Sequence, residues 1–71
     1  LRVGAWAEVF GTGSCLQFHE SPSLAASVKA CRQDGFVGYV EDGPVGADGY
    51  QWWKIRDEGW AAGPWLRYHQ E

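Results

Sequence analysis

Apolar and polar residues alternate in short runs along most of the chain, with turn-forming residues between the runs. Ala5, Ala7 and Val9 share one parity and Trp6 and Glu8 the other, which predicts a strand with one buried face. Gly11-Thr12-Gly13-Ser14 is a turn. Cys15-Leu16-Gln17-Phe18 alternates again, with Leu16 and Phe18 inward. Ser21-Pro22-Ser23 breaks the pattern, because proline fixes its own φ and biases the residue before it toward extended backbone. Leu24 to Ser27 has room for a helical turn at most. Val28 and Ala30 then face the core, alternating with Lys29 and Cys31. Asp34-Gly35 is a hairpin signal, since both residues tolerate positive φ. Phe36 to Val40 is therefore expected to pair with the Val28–Arg32 strand.

Glu41 to Gly49 contains Gly43-Pro44 and Asp48-Gly49 and is expected to be a loop with a turn at each end. The run Tyr50-Gln51-Trp52-Trp53-Lys54-Ile55-Arg56 follows. Successive side chains of a strand point to opposite faces, so Trp53 and Ile55 go inward and Trp52 looks out. Asp57-Glu58-Gly59 connects to Trp60-Ala61-Ala62, Gly63-Pro64 turns the chain, and Trp65-Leu66-Arg67-Tyr68 ends the fold. The tail His69-Gln70-Glu71 is expected to fray. Several short strands with turn chemistry between them indicate a small all-β sandwich or barrel, and closure into a barrel removes exposed edges.

Length sharpens this picture. A chain of 71 residues is one domain near the lower limit for an independent core, and such scaffolds use large apolar side chains or a covalent staple. Five tryptophans, three tyrosines, three phenylalanines and two cysteines supply both. Methionine is absent and Leu1-Arg2-Val3-Gly4 lacks the layout of a signal peptide, so residues 1–71 read as a module excised from a larger protein. No apolar run is long enough to insert in a membrane. The net charge is -3 and no two of the six Lys and Arg residues are adjacent, which disfavours nucleic acid, anionic membranes and polyanionic wall polymers as partners.

With Leu16, Phe18, Val28 and Ala30 inward, Cys15 and Cys31 both lie on the outer face. A disulfide between them is the favoured reading, closing a loop of about 15 residues worth roughly 3 kcal/mol. Unpaired structural thiols and a metal site are the competing uses. The metal reading has little behind it, since the two cysteines, His19 and His69 lack the spacing of a zinc site. A disulfide implies an oxidising, extracytoplasmic place: secreted, periplasmic or cell surface.

The order of segments from Gly13 to Ser23, Asp34-Gly35, Gly43 to Arg56 (with Ala47-Asp48-Gly49-Tyr50 and Trp52-Trp53-Lys54-Ile55-Arg56), Gly59-Trp60 and Gly63 to Leu66 resembles the bacterial SH3-like (SH3b) domain. The resemblance implies a small SH3-like barrel of five to seven short antiparallel strands. It also implies a non-catalytic module of cell-wall enzymes or surface proteins that binds peptidoglycan peptides. The chain departs from the family in its first loop. There Gln17-Phe18-His19-Glu20-Ser21-Pro22-Ser23 stands where Asn-x-Arg-Ser-Gly-Pro-Ser is common, so an arginine is replaced by histidine.

Catalysis finds little support. Asp57-Glu58 has the setting of a solvated turn, a pairing of Cys15 or Cys31 with His19 has little shelter in so small a barrel, and Gly11–Ser14 lacks the lysine of a phosphate cradle. No cofactor is implied. Binding through exposed aromatics is the better reading. By parity Trp6, Trp52 and Trp65 face away from the core, and Trp52, Trp60, Tyr50 and Tyr39 are the candidate platform. Asp48 and Glu41 are expected to give it a negative rim that suits an amine-bearing ligand. The implied partner is a cell-wall peptide or glycan, with adjacent domains of the parent protein as the alternative.

Overall fold

The computed structural model describes residues 1–69, and Gln70 and Glu71, part of the tail expected to fray, lie outside the described residues. Seven strands form: β1 (Trp6–Val9), β2 (Cys15–His19), β3 (Val28–Gln33), β4 (Val37–Ala47), β5 (Tyr50–Ile55), β6 (Gly59–Ala62) and β7 (Leu66–Tyr68). One turn of 3-10 helix, Gly63–Trp65, with proline in its first turn, separates β6 from β7. The strands lie in the order β3-β2-β6-β5-β4-β1-β7, and every pair is antiparallel.

Strand β4 holds the two halves of this sheet together. Its first residues pair with β1 (Gly38 opposite Ala7), and from Val40 onward it pairs with β5. Bulges between Val40 and Asp42 and between Asp42 and Val45 bend it, so the sheet curls around one interior. That interior gathers Ala7 and Val9 from β1, Leu16 and Phe18 from β2, Val40, Trp53 and Ile55, Ala61, and Leu66. Strands β3 and β7 remain the two edges, so the barrel is partly open.

Close approaches require glycine at Gly38 and Gly59, among others. A methyl group on Gly38 would run into the Ile55 side chain, and one on Gly59 would sit 2.5 Å from the His19 carbonyl oxygen. Gly59 also has φ +122°, a conformation that side chains with a Cβ rarely adopt. It therefore sets the junction between β6 and β2.

The structure corrects four expectations. The Glu41–Gly49 segment is not a loop: through Ala47 it continues β4 and forms a hairpin with β5 across Asp48-Gly49, the bulges absorbing Gly43-Pro44, whose proline has no N–H to donate. Phe36–Val40 does not pair with β3. A turn does form at Asp34-Gly35, with Phe36 N–H donating to Gln33 O at 3.1 Å, but β3 spends its ladder on β2 and β4 on β1 and β5. Val28 is 49% exposed rather than in the core, because β3 is an edge; only Ala30 packs inward from it. His69 does not fray, since its N–H donates to Trp6 O at 2.9 Å.

The edge β3 carries Lys29 and Arg32, charges that discourage pairing with another chain. It is fastened on both sides. Arg32 reaches Glu58 at 2.6 Å, and the Cys15–Cys31 disulfide ties β3 to β2 with Cα atoms 5.5 Å apart. The bond is diagonal, since Gln17 and not Cys15 stands directly opposite Cys31. Both sulfurs belong to outward-facing positions, as parity predicts, and a disulfide is compatible with an extracytoplasmic location. Reducing the bond, or the double change Cys15→Ser and Cys31→Ser, is expected to lower unfolding free energy by roughly 3 kcal/mol. Urea denaturation of the oxidised and reduced chain measures it, and coincident midpoints would contradict a stapling role.

Candidate functional site

Trp52 and Trp53 are adjacent on β5, and both are buried, at 1% and 6% exposure. Their parity is as the alternation predicts: Trp53 belongs to the interior cluster and Trp52 does not. The expectation that Trp52 is offered to solvent is overturned. Its outer face is covered by a second, smaller packing layer. The His19 ring meets it edge-on at 5.4 Å and Tyr50 at 6.3 Å, while its indole N–H donates to Ala47 O at 2.8 Å.

That cover is held by the segment between β2 and β3. Glu20 N–H donates to Ser27 O, closing the loop at its neck, and Ala26 N–H donates to Ser23 O within it. His19 Nδ1 donates to Ala26 O at 3.0 Å, which fixes the imidazole against Trp52. Asp48, expected on a negative rim, instead accepts the Leu24 N–H at 2.8 Å and so ties this loop to the β4–β5 turn. Glu41 faces Lys54 and Arg56 at 3.4 and 3.5 Å, and its charge is met there.

A groove of about 290 Å³ opens beside this layer. It exists because β2 and β6 pair at one position, His19 opposite Trp60, and then part. Trp52 and Ala62 line it together with Trp65, His19, Leu24 and Gln17, and Thr12, Cys15 and Leu16 complete the wall. Among the described residues, no Asp, Glu, Lys or Arg contributes to the lining. The groove therefore suits an uncharged apolar group with one or two hydrogen bonds, and the expected preference for an amine loses its electrostatic basis. The Cys15–Phe18 stretch of β2 also has no ladder partner on its β6 side among the described residues.

The five candidate residues are not brought to one place. Trp52 is in the groove wall, Tyr50 braces it and also meets Trp65 at 5.6 Å, and Asp48 holds the covering loop. Trp60 is half-buried on the same outer face, opposite Lys54, but outside the lining. Tyr39 lies apart on the β1–β4 side, against Trp6 at 5.4 Å and under the Arg56 guanidinium at 4.5 Å. Leu24, Gln17, Ala62 and Trp65 went unrecognised as groove residues. Ala62 carried a usable signal, a small residue at the parity of Trp60, whereas Leu24 depends on where the loop lands. Both cysteine sulfurs are bonded to each other and Glu58 is engaged by Arg32, so neither thiol is free as a nucleophile and Asp57-Glu58 is tied to an ion pair.

The turn at one end of the groove has its own lock. Asp34 Oδ1 accepts the Thr12 hydroxyl, and the Thr12 N–H at 3.2 Å. The Thr12 hydroxyl is the main reason that the Asp34 carboxyl is held below its ordinary value of 3.8; slight desolvation opposes it and the backbone N–H groups of Thr12 and Gly13 add to it. A depressed folded-state value stabilises above the unfolded-state value, and that stabilisation is lost as pH falls through the folded-state one. Thr12→Val is expected to return the Asp34 pKa toward its ordinary value, as read by carboxyl-carbon NMR titration; an unmoved titration contradicts the lock. Trp52→Ala is expected to cost about 3–5 kcal/mol of stability, because it opens a cavity under the covering loop. Thermal melts check this, and a wild-type melting curve for the variant would mean that the indole is not structural.

No protein-family model, curated protein or solved structure matches the chain.

Proposed function

We propose that the chain is a non-catalytic recognition module of the bacterial SH3-like type, belonging to an extracytoplasmic protein and holding a short cell-wall peptide in the groove between β2 and β6. The observation that carries this reading is the stretch of β2 left without a ladder partner on its β6 side among the described residues, beside an apolar groove with no charged side chain. A peptide laid along Cys15–Phe18 finds backbone groups to bond, and one of its side chains finds the Trp52–Trp65 wall. The groove is at the small end for a ligand site, which fits one or two peptide residues better than a long polymer. The ordered resemblance of segments along the chain supplies the cell-wall context, and the disulfide agrees with an oxidising compartment.

A second reading is favoured by one observation. Trp6 is 46% exposed and forms an edge-on pair with Tyr39 across β1 and β4, outside the groove lining. An apolar pair there suits packing against a neighbouring domain of a parent protein.

Leu24 separates the two readings, because its side chain is 57% exposed and its replacement leaves the core intact. Leu24→Glu is expected to reduce sedimentation with purified peptidoglycan about tenfold, or about 1.4 kcal/mol, with an unchanged melting temperature. Soluble stem peptides are expected to compete. Capture of Leu24→Glu at wild-type strength, or no capture of the wild type, sinks the groove reading in favour of domain packing.

A further inference from the structure

His19 is buried, at 5% exposure, yet it lines the groove beside Trp52. Its Nδ1 meets Ala26 O at 3.0 Å, and a carbonyl oxygen only accepts, so Nδ1 carries the ring proton. The neutral ring then leaves Nε2 as a bare acceptor. Nε2 has no hydrogen-bond partner among the described residues, where the ring also forms no ion pair. No buried side-chain nitrogen or oxygen lacks a partner among those residues, so Nε2 is open to solvent, and the space that the ring borders is the groove. A nearly buried acceptor that meets only water at a groove wall is a place for a ligand donor.

Gln17 stands two positions earlier on β2, on the same face, and lines the same groove. It is exposed, and its amide both donates and accepts. The rise of a strand sets the two Cα atoms about 6.6 Å apart. We propose that the groove selects an uncharged carboxamide, of the kind that a glutamine side chain carries. Its N–H donates to His19 Nε2 and its carbonyl accepts from the Gln17 amide. The assignment rests on the groove being the recognition site and adds the chemistry of the group held there.

The alternatives fit less well. A carboxamide carries donor and acceptor on separate atoms and spans the two side chains, whereas a hydroxyl carries both on one oxygen. A carboxylate has no proton for Nε2. An ammonium has one, but among the described residues no carboxylate lines the groove to offset its loss of water. The methylenes before a side-chain carboxamide find their apolar wall in Trp52, Leu24 and Ala62.

The test is an NMR titration of the oxidised chain at neutral pH with acetyl-Ala-Gln-Ala-methylamide. Three counterparts replace the glutamine by glutamate γ-methyl ester, by glutamate, or by 5-hydroxynorvaline. Ring-nitrogen signals follow the histidines, His19 being identified by the loss of its signals in His19→Asn. The wild type is expected to show a proton on Nδ1 and none on Nε2, and Nε2 is expected to move in a saturable way with the glutamine peptide. The methyl ester matches that peptide in charge and lacks only the N–H donor. It is expected to bind about tenfold more weakly, and the other two no better than the ester. His19→Asn puts its amide N–H where Nδ1 stood, which keeps the bond to Ala26 and removes the groove acceptor. It is expected to hold the glutamine and ester peptides equally weakly.

Equal binding of the glutamine and ester peptides by the wild type overturns the proposal. So does a proton on Nε2, an Nε2 signal that the glutamine peptide leaves unmoved, or an equal response to the hydroxyl peptide. These readings come from the unaltered chain, so they decide the matter even where the variant unfolds. A wild type that sediments with peptidoglycan but does not tell glutamine from the ester keeps the groove reading and loses this assignment. One that selects glutamine but is not captured by peptidoglycan keeps the assignment and loses the cell-wall reading.

Discussion

An indole on each face of one strand obliges a very small chain to build cover on both sides of its sheet. Trp52 and Trp53 are consecutive on β5, and both are almost wholly removed from water. Burying a tryptophan removes about 150–250 Å² from solvent, an upper estimate of about 4–6 kcal/mol each. That is comparable with the whole net stability of a small domain. Trp53 takes its cover from the curled interior, where β1, β2, β4, β6 and β7 all contribute. Trp52 takes its cover from His19, Tyr50 and the Glu20–Ser27 loop.

The remaining architecture follows from supplying those two covers with few residues. Bending β4 lets one strand serve both halves of the sheet. The outer loop has no strand of its own to hold it. It is secured instead by polar contacts at separate points: Ala26 to His19, Leu24 to Asp48, and its own neck between Glu20 and Ser27. The disulfide fastens the edge strand into which that loop runs. The ion pairs on the surface, such as Glu41 with Lys54 and Arg56, are solvent-screened and contribute little by comparison.

The groove arises where this covering stops. Strands β2 and β6 part after a single pair, and the gap becomes the groove beside Trp52. Trp65 lines that groove and packs against Tyr50, which also braces Trp52. Among the described residues no acidic or basic side chain lines the groove, so shape and hydrogen bonding decide what it accepts.

Alternation along the chain determined the all-β class, the places of most strands, the inward set of Ala7, Val9, Leu16, Phe18, Trp53 and Ile55, and the outward parity that lets Cys15 meet Cys31. These are local properties, because side-chain direction in a strand depends only on the pleat. Exposure is not local. Trp52 points outward as its parity requires, yet it is buried, since what lies beyond an outer face depends on where a distant loop lands. Pairing is not local either. Asp34-Gly35 makes its turn, but which strands then join depends on which edges are already taken, so Phe36–Val40 went to β1 and β5 and left Val28 on an open edge. The groove exists only in the assembled fold, because it is a gap between segments remote in sequence, and no run of residues encodes a gap.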